Sequence, residues 1–526
     1  IISNFDADTI EVALRDLNPK QEHGLYYAPK MQAAYLRRLQ QHYTNRSTQT
    51  EPDLSITEKL PAEILQTLRP YQTEGIAWLH DRITQEGAAL LADDMGLGKT
   101  LQTLSLLHLL ESDKPHLVVC PTSLLGNWQN EINKFFPDCE VLVLHGDKRK
   151  EKFSVAHNAD IIITSYALVT RDIEVYQNTE LGALVIDEAS IIRNPDTQAA
   201  KSLRKIKAQH RLALTGTPVE NAVRDLWSLY EFLLPGYLGS RKDFQNHYEK
   251  PLSGNLPDHH TMRRLRMRTE PFMLRRTKSK VAKDLPPKME QVIFCEPTKT
   301  QQTAYTKILR QGTAKLASIE GSSSQMQMLT LLLRLRQASC DLRLLDKEMD
   351  ISAEDASAKI TRLTELLLEA KAGGHRVLVF SQFTTMLALI KTALTESNIS
   401  YSYLDGSTKD RAKEVERFQS PTGPDVFLIS LKAGGYGLNL TAADTVIHFD
   451  PWWNPAVEAQ ATDRAHRIGQ TKPINVYKLV AKGTVEEKII QLQKSKQGLI
   501  SAALSDEHSP IMQGLSQSEI SSLLRS

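Results

Sequence analysis

Short runs of apolar, mostly β-branched residues alternate with longer amphipathic stretches along much of this chain. The first set of runs comprises HLVVC (His116–Cys120), VLVLH (Val141–His145), DIIITSY (Asp160–Tyr166), ALVIDE (Ala183–Glu188) and RLALTGT (Arg211–Thr217). Near-continuous apolar strands separated by helical patterns are typical of a parallel sheet covered by helices on both faces. The pattern therefore predicts an α/β domain in the first half of the chain.

The alternation of strand-like and helix-like segments stops near Arg224, where a helical pattern rich in Leu and Arg begins. It resumes after Asp350. The second set of runs comprises RVLVFS (Arg376–Ser381), SYSYLDG (Ser400–Gly406), DVFLIS (Asp425–Ser430), TVIHFD (Thr445–Asp450) and NVYKLV (Asn475–Val480). We therefore expect an α/β protein with two parallel-sheet lobes and helical insertions between them.

These changes in the sequence pattern divide the chain into five expected segments. The first lobe is expected at residues 61–285, with a helical insertion that begins near residue 224, and the second lobe at residues 356–500. The chain does not begin with Met, so we expect its first segment to be the end of a longer N-terminal region. The remaining segments are an N-terminal segment and linker at residues 1–60, a helical linker at residues 286–355 and a C-terminal tail at residues 501–526.

Composition narrows the class of protein. The 526 residues exceed what one hydrophobic core holds, and contents of 41% apolar and 24% charged residues are ordinary for a globular chain. The formal net charge is only +2, so a nucleic-acid-binding surface would have to be formed by local clusters of basic residues. Four cysteines without a C-x-x-C pair argue against a structural zinc site and a disulfide framework. No apolar run is long enough to suggest a membrane partner.

A candidate phosphate loop follows one predicted strand. LLADDMGLGKT (Leu90–Thr100) leads into the helical pattern that begins at Lys99, and Gly98, Lys99 and Thr100 match the end of G-x-x-x-x-G-K-[ST]. Backbone N–H groups of such a loop face an anion, while the lysine reaches the β- and γ-phosphates of ATP and the hydroxyl ligates Mg²⁺. The alternative is a glycine-rich turn with an incidental Lys-Thr pair. The predicted nucleotide contacts are Asp93 (at the first glycine position), Asp94, Met95, Gly96, Leu97, Gly98, Lys99 and Thr100.

An acidic pair stands at the end of another predicted strand. In ALVIDEAS, Asp187 is positioned to hold Mg²⁺ and Glu188 to orient the attacking water, the two further groups that a nucleoside triphosphatase needs. Asp-Glu after an apolar run is common by itself. Downstream of a phosphate loop in the same predicted sheet, it indicates a catalytic site.

An ordered set of motifs carries a resemblance to a known family. DDMGLGKT and DEAS are followed by LTGTP (Leu214–Pro218), FSQF (Phe380–Phe383), SLKAGGYGLNLTAAD (Ser430–Asp444), DPWWNP (Asp450–Pro455) and QATDRAHRIGQ (Gln460–Gln470). Over residues 61–500 the chain resembles the SWI/SNF family of DNA-translocating ATPases in helicase superfamily two. The short spacing of the motifs resembles the compact prokaryotic branch.

The resemblance implies two RecA-like lobes with ATP between them. LRPYQTEGIAWL (Leu68–Leu79) is similar to the adenine-reading segment, which makes Arg69 and Gln72 nucleotide contacts, and Gly437 and Asn439 of the second lobe are implied contacts as well. Gln460, Arg464 and Arg467 would act on the γ-phosphate as catalytic groups of the second lobe. The spacing of the two arginines in a helix-like stretch puts both on one helical face, which also suits a plain solvated helix. Ser190 stands where the family usually has His or Gln.

Nucleic-acid contacts are expected in two kinds of segment. Nine basic residues lie between Arg263 and Lys283, and within FMLRRTK we single out Arg275 and Arg276 for contact with phosphates, a solvated charged face being the alternative. Small residues in four βα-loop segments would let backbone N–H groups reach phosphates, although each segment also suits plain scaffold. The candidate residues in these four segments are Thr122, Ser123, Asn127, Trp128, Thr164, Ser165, Gly406, Ser407, Thr408, Ser430, Lys432, Ala433 and Gly434.

The resemblance implies a DNA-dependent ATPase that translocates on double-stranded DNA and remodels or displaces bound proteins without processive strand separation. Its cofactors would be ATP and Mg²⁺, and its partners double-stranded DNA together with DNA-bound proteins or RNA polymerase. The expected location is the cytoplasm, on the nucleoid, in a prokaryote and the nucleus in a eukaryote. Two alternatives stay open: a strand-separating DNA or RNA helicase, and a catalytically silent nucleic-acid-binding scaffold.

Overall fold

The computed structural model of the chain contains two compact units. It describes residues 17, 20–22, 25–27, 30–37, 52–216, 218, 223–252, 258–282, 284–317, 322–346, 349–431, 433, 438–493 and 523–524. The main boundary between the units falls between residues 283 and 284. Each unit has its own parallel sheet, which confirms the predicted α/β fold class with two parallel-sheet lobes. A short antiparallel pair, β1 (Lys20–Glu22) and β2 (Leu25–Tyr27), precedes the first sheet.

The sheet of the first unit has seven strands within the described residues, in the order β5-β6-β4-β7-β8-β3-β9, and all of its pairings are parallel. All residues of β3, β4, β6 and β7 are buried, as their continuous apolar character predicts for strands covered on both faces. The strands are β3 (Ala88–Leu91), β4 (His116–Cys120), β5 (Val141–Val143), β6 (Ile161–Ser165), β7 (Leu181–Ile186), β8 (Ala208–Leu214) and β9 (Met273–Leu274).

Helices connect these strands. The longer ones are α1 (Pro70–Glu86), α2 (Lys99–Leu109), α3 (Leu125–Phe135), α4 (Gln198–Lys205), α5 (Arg224–Leu233) and α6 (His259–Thr269). Shorter α-helices span Ala62–Thr67, Tyr166–Arg171, Ile173–Gln177, Arg241–Phe244, Lys250–Leu252 and Lys278–Val281. The predicted helical texture after Arg224 is thus present as α5, α6 and the short helices between and after them.

The sheet of the second unit has six strands in the described part of the chain, in the order β10-β15-β14-β11-β13-β12, again all parallel. The strands are β10 (Lys288–Cys295), β11 (Val377–Ser381), β12 (Tyr401–Leu404), β13 (Val426–Ser430), β14 (Thr445–His448) and β15 (Ile474–Ala481). The longer helices are α7 (Lys299–Ala317), α8 (Ser322–Cys340), α9 (Ala358–Ala372), α10 (Thr384–Glu396), α11 (Arg411–Gln419) and α12 (Pro455–Thr462), with a further helix at residues 485–493.

Strand β10 lies where the sequence suggested only helix. Residues 286–355 do contain α7 and α8, but they begin with this strand, which pairs with β15 from Lys288↔Ile474 to Cys295↔Ala481. Its first four residues are exposed, because β10 is the edge strand of the sheet. An edge strand does not need the continuous apolar run by which we recognised the central strands, so the hydrophobic pattern missed it.

Strand β9 closes the first sheet with a contact between distant parts of the chain. Leu90 and Leu91 of β3 pair with Met273 and Leu274, and Arg276 then reaches back over the loop after β3. The Arg276 backbone N–H and Nε each lie 3.0 Å from Oδ1 of Asp93, and Nη2 lies 2.5 Å from Oδ2. Asp93 has no exposed surface, so this guanidinium compensates a fully buried carboxylate.

Removal of the Arg276 charge should destabilise the first unit. Arg276→Met leaves Asp93 buried without its cation, and breaking a buried ion pair in this way costs about 3 kcal/mol or more. In urea denaturation, the transition of the first unit should move to lower urea concentration. The double variant Asp93→Gly/Arg276→Met removes both charges and should recover much of the loss. An unchanged transition in Arg276→Met would contradict a structural role for this pair.

Candidate functional site

The loop between β3 and α2 has the conformation that an anion-binding loop requires. Gly96 and Gly98 have φ values of +81° and +74°, which L-residues with a Cβ rarely adopt. Lys99 begins α2, and its Nζ donates to the carbonyl oxygens of Asp93 at 2.7 Å and Asp94 at 3.3 Å. The loop therefore curls around the lysine, next to the N-terminus of an eleven-residue helix.

The charge of Lys99 connects this loop with the acidic pair. Burial lowers the pKa of the Lys99 amine, and Glu188 and Asp187 oppose that shift more than Asp93 and Asp94 do. The carboxylates of Asp187 and Glu188 therefore act on the same ammonium group that the loop after β3 holds. The carboxyl ends of β3 and β7 bring the two motifs together at one edge of the first sheet, as the sequence predicted.

Three contacts hold Asp187 in place at the end of β7. Its Oδ2 accepts a hydrogen bond of 2.9 Å from Nε1 of Trp128, and its Oδ1 accepts one of 2.8 Å from the backbone N–H of Glu188. The hydroxyl of Tyr166 donates to the Asp187 carbonyl oxygen at 2.7 Å. Asp187 and the Thr100 hydroxyl together offer oxygen ligands of the kind that Mg²⁺ prefers, so these residues fit a magnesium ion.

Glu188 has a backbone conformation that is rare for its residue type. Its φ and ψ are +52° and 55°, in the left-handed region where a side chain with a Cβ costs about 1 kcal/mol or more. Strain of this kind persists where the surrounding structure enforces it, and it clusters at functional sites. The conformation supports a functional role for Glu188 and is compatible with the predicted one.

Gln72 and Arg69 lie beside the loop. The Gln72 side chain accepts a 2.9 Å hydrogen bond from the Arg69 backbone N–H and donates one of 3.2 Å to the Leu97 carbonyl oxygen. A Cβ at Gly98 would collide with the Gln72 amide. The structure thus places the Gln72 side chain at the loop and the Arg69 backbone beside Gln72, while contact of either residue with the adenine base stays a prediction.

The LTGTP segment passes close to the same loop. A Cβ at Gly216 would lie 2.8 Å from Cγ of Met95, so only glycine permits this approach without a shift. Thr217 is outside the described residues.

Four of the predicted DNA contacts in the first unit have side chains that are buried or bound to another residue. Trp128 has no exposed surface and supports Asp187, and Thr164 and Ser165 are buried at the end of β6, where the Thr164 hydroxyl donates to the Leu144 carbonyl. The Arg276 guanidinium donates hydrogen bonds to the Asp93 carboxylate. Burial accounts for the side chains of Trp128, Thr164 and Ser165, and the ion pair with Asp93 accounts for that of Arg276. For the first three residues, contact of the backbone with DNA stays a prediction.

Other candidates of the first unit are accessible. Thr122 and Ser123 are exposed in the turn that leads into α3, and Asn127 is half-buried on that helix. Burial lowers the pKa of the half-buried Arg275, while Asp94 opposes this shift. Thr122 and Ser123 therefore keep their predicted role as contacts for a phosphate backbone.

The predicted contacts of the second unit also include both accessible and buried residues. Gly406 and Ser407 are exposed and Thr408 is half-buried in a turn in which Asp405 Oδ1 accepts from the Ser407 backbone N–H at 2.8 Å. Ser430 and Ala433 are buried, and the Ser430 Oγ accepts from the Ala433 N–H at 3.2 Å, so contact of their backbone with DNA stays a prediction. Asn439 is exposed. Lys432, Gly434 and Gly437 lie outside the described residues.

Arg464 and Arg467 are not on a helix, which corrects the interpretation from their spacing. Helix α12 carries the half-buried Gln460 but ends at Thr462, and the chain continues in turns. Leu440 donates its backbone N–H to the Arg464 carbonyl at 3.0 Å, and Arg467 Nη1 donates to the Leu438 carbonyl at 3.3 Å. Arg464 is 6% exposed. These contacts hold the turn that carries Arg464 and Arg467, the arginine turn, against residues 438–440. The two arginines therefore do not lie on a plain solvated helix face.

The sequence reasoning missed the groups that support the site. Trp128 and Tyr166 hold Asp187, and Gln102 accepts from Arg276 Nη2 at 2.6 Å through its Oε1. One signal was available: an aspartate at the first position of a phosphate loop needs a compensating cation. The sequence did not show which of the many basic residues supplies it.

Comparison with known proteins places the chain in a family. Residues 71–344 match the family model of the SNF2-related domain, and residues 358–469 match that of the helicase conserved C-terminal domain. The chain is 37% identical over 518 residues to YwqA of Bacillus subtilis, a proposed ATP-dependent helicase/translocase, with coverage of 95% of this chain and 56% of that protein. It is 39% identical over 465 residues to an uncharacterised ATP-dependent helicase of Mycoplasma pneumoniae, with coverage of 86% and 43%.

A solved structure is similar as well. The Sulfolobus solfataricus SWI2/SNF2 ATPase core in complex with dsDNA is 38% identical, with coverage of 84% of this chain and 93% of that one and a TM-score of 0.43. The chain spans about half the length of the two bacterial relatives. No helix among the described residues is long and apolar enough to cross a membrane. Because the SNF2-related model alone matches more than half of its residues, the chain belongs to the SNF2-related family.

Proposed function

We propose that this chain is a DNA-dependent ATPase that translocates on double-stranded DNA and remodels or displaces DNA-bound proteins without processive strand separation. The observation that carries the proposal is the loop after β3, in which Gly96 and Gly98 have positive φ and Lys99 begins α2, together with Asp187 and Glu188 at the end of β7 in the same parallel sheet. A phosphate-binding lysine and a hydrolytic carboxylate pair meet at the carboxyl edge of one parallel sheet, where ligands of α/β proteins bind.

The residues of the first unit have separate roles in binding and hydrolysing ATP. Lys99 and the loop N–H groups bind the phosphates, and Glu188 orients the attacking water and takes up its proton. Thr100 and Asp187 would hold Mg²⁺, which neutralises phosphate charge when bound. Trp128 and Tyr166 keep Asp187 in its orientation.

The arginine turn supplies the remaining charge. Arg464 and Arg467 are held by contacts to residues 438–440, so their position is fixed within the second unit. We assign them to the γ-phosphate of ATP, where a cation stabilises the charge of the transition state. Hydrolysis would then need residues of both units, which suits a translocating motor.

The nucleic-acid partner is proposed from the accessible loops. Thr122, Ser123, Gly406 and Ser407 are small exposed residues, which suits backbone contact with phosphates without base reading. The solved relative noted above was determined with double-stranded DNA, and this supports a duplex. For the whole protein we propose action on the bacterial nucleoid, or in the nucleus of a eukaryote, on DNA-bound proteins or RNA polymerase.

Changes in the first unit should separate ATP binding from hydrolysis. Lys99→Ala should weaken nucleotide binding and abolish turnover, because the phosphates lose their ammonium partner. Glu188→Gln should bind ATP normally but stall, since an amide does not accept the proton of water. Nucleotide titration and steady-state ATPase assays measure the two effects. Near-normal ATPase activity in Glu188→Gln would refute the assigned role.

Arg464→Ala and Arg467→Ala should leave ATP binding intact, because Lys99 and Thr100 are unchanged. DNA-stimulated kcat should fall about a thousandfold, the effect of a lost arginine finger, and lysine should rescue poorly because it lacks the planar fork. Arg417→Ala, which removes an exposed arginine of α11, is the matched control and should have normal activity. Stimulation within a few-fold of the unmodified protein in both variants would remove these arginines from the mechanism.

The nature of the nucleic acid is tested by the ATPase rate with no nucleic acid, single-stranded DNA, duplex DNA and RNA. Duplex DNA should stimulate most, with steep salt dependence and little sequence preference, and a partial duplex should not be unwound processively. Ser123→Glu places a carboxylate in an exposed turn before a helix, where the fold tolerates it, and should weaken DNA binding about tenfold. Asn130→Glu, on an exposed position of the same helix, is the control. Stimulation by RNA alone, or processive unwinding, would favour the helicase alternative.

A further inference from the structure

Arg336 joins three segments of the second unit that are far apart in sequence. It lies on α8 and is 2% exposed. Its Nη1 donates to Oε1 of Gln382 at 3.0 Å, and its Nη2 donates to the Pro451 carbonyl oxygen at 2.8 Å. Gln382 belongs to the FSQF motif after β11, and Pro451 belongs to the DPWWNP motif after β14. One guanidinium therefore connects the helical segment with two motifs at the carboxyl edge of the sheet.

Aromatic rings and one carboxylate enclose the same guanidinium. Its central carbon lies 5.0 Å from the ring centroid of Trp452, 5.3 Å from that of Trp453 and 5.7 Å from that of Phe383. Asp450 Oδ2 lies 3.8 Å from Nη2, and the same carboxylate accepts from the Gln382 backbone N–H. A planar, delocalised cation fits this site, whereas the compact ammonium of lysine provides neither the fork nor the stacking surface.

From DPWWNP, direct contacts lead to the arginine turn. The Trp452 backbone N–H donates to Oε1 of Glu458 on α12 at 2.6 Å, and Thr462, the last residue of α12, hydrogen-bonds His448 of β14 at 3.0 Å. The turn that carries Arg464 begins at the next residue, Asp463. The segment between Asp450 and Arg464 is thus fixed at one end by Arg336 and along its length by α12.

We propose that Arg336 is a positioning residue of the motor: it fixes the DPWWNP segment against FSQF and thereby sets the position of α12 and of the Arg464–Arg467 turn. This inference rests on the proposed function, because it assigns Arg336 an effect on hydrolysis that acts through those two arginines. It also makes the helical segment α7–α8 a working part of the second unit rather than an inert insertion.

The experiment compares Arg336→Lys with Arg334→Lys in the whole chain. Arg334 lies on the same helix but is exposed, so the control has the same chemistry without the enclosed site. Arg336→Lys should bind ATP with unchanged affinity and should lose DNA-stimulated kcat by about tenfold or more, while Arg334→Lys should retain it. Hydrogen exchange of backbone amides at residues 450–470 should be faster in Arg336→Lys than in the control.

A double variant distinguishes positioning from general weakening of the fold. If Arg336 acts through the arginine turn, Arg336→Lys/Arg467→Ala should be hardly slower than Arg467→Ala alone, because the same contribution is already lost. Fully multiplicative losses would overturn the inference, as would unchanged exchange at residues 450–470 or kcat within twofold of the unmodified chain. An unmodified chain that DNA does not stimulate would instead refute the proposed function, and the exchange comparison would still decide whether Arg336 positions this segment.

Discussion

The nucleotide edge of the first unit depends on one buried carboxylate and its neutralisation. Asp93 has no exposed surface, and a buried carboxylate is tolerated only when it is paired and hydrogen-bonded. Arg276 satisfies it with three donors and also bonds Gln102 of α2 and the Tyr71 carbonyl of α1. The two helices beside the phosphate loop, the loop itself and the end of β9 are therefore fixed relative to one another by a single guanidinium.

Buried ion pairs also join separate segments at the carboxyl edge of the second unit's sheet. Lys359 and Glu486 form a buried pair at 2.5 Å, and Lys478 and Glu458 form another at 2.8 Å. Burial lowers the pKa of Lys359, but interactions with Glu486, Cys340 and Cys295 together raise it, and the net shift is upward. Buried pairs of this kind add little net stability compared with an apolar core. Their value here is geometric, because each pair accepts only one relative placement of the segments that it joins.

The hydrophobic pattern was sufficient for the central strands of both sheets, because a strand covered on both faces has few alternatives to a continuous apolar run. It was insufficient for β10, an edge strand with exposed residues, and for β9, whose two residues are too few to give a pattern. The motif residues Lys99, Asp187 and Glu188 were found because their chemistry depends on local sequence. The structural contacts of Trp128 and Arg276 were not foreseen because their partners, Asp187 and Asp93, are 59 and 183 residues away. The 3.6-residue period failed at Arg464, where tertiary contacts of the turn replace the helix.

Strand β9 also has a consequence for the order in which the chain acquires its structure. Ribosomes release a protein from its N-terminus, and the phosphate loop leaves the ribosome some 180 residues before its partner Arg276. Until then the edge of β3 is unpaired and the Asp93 carboxylate has no cation. During synthesis the nascent first unit therefore exposes an open sheet edge of the kind that chaperones cover. A break in translation before residue 276 leaves a fragment that contains every nucleotide-binding motif of the first unit but lacks the contact that completes their fold.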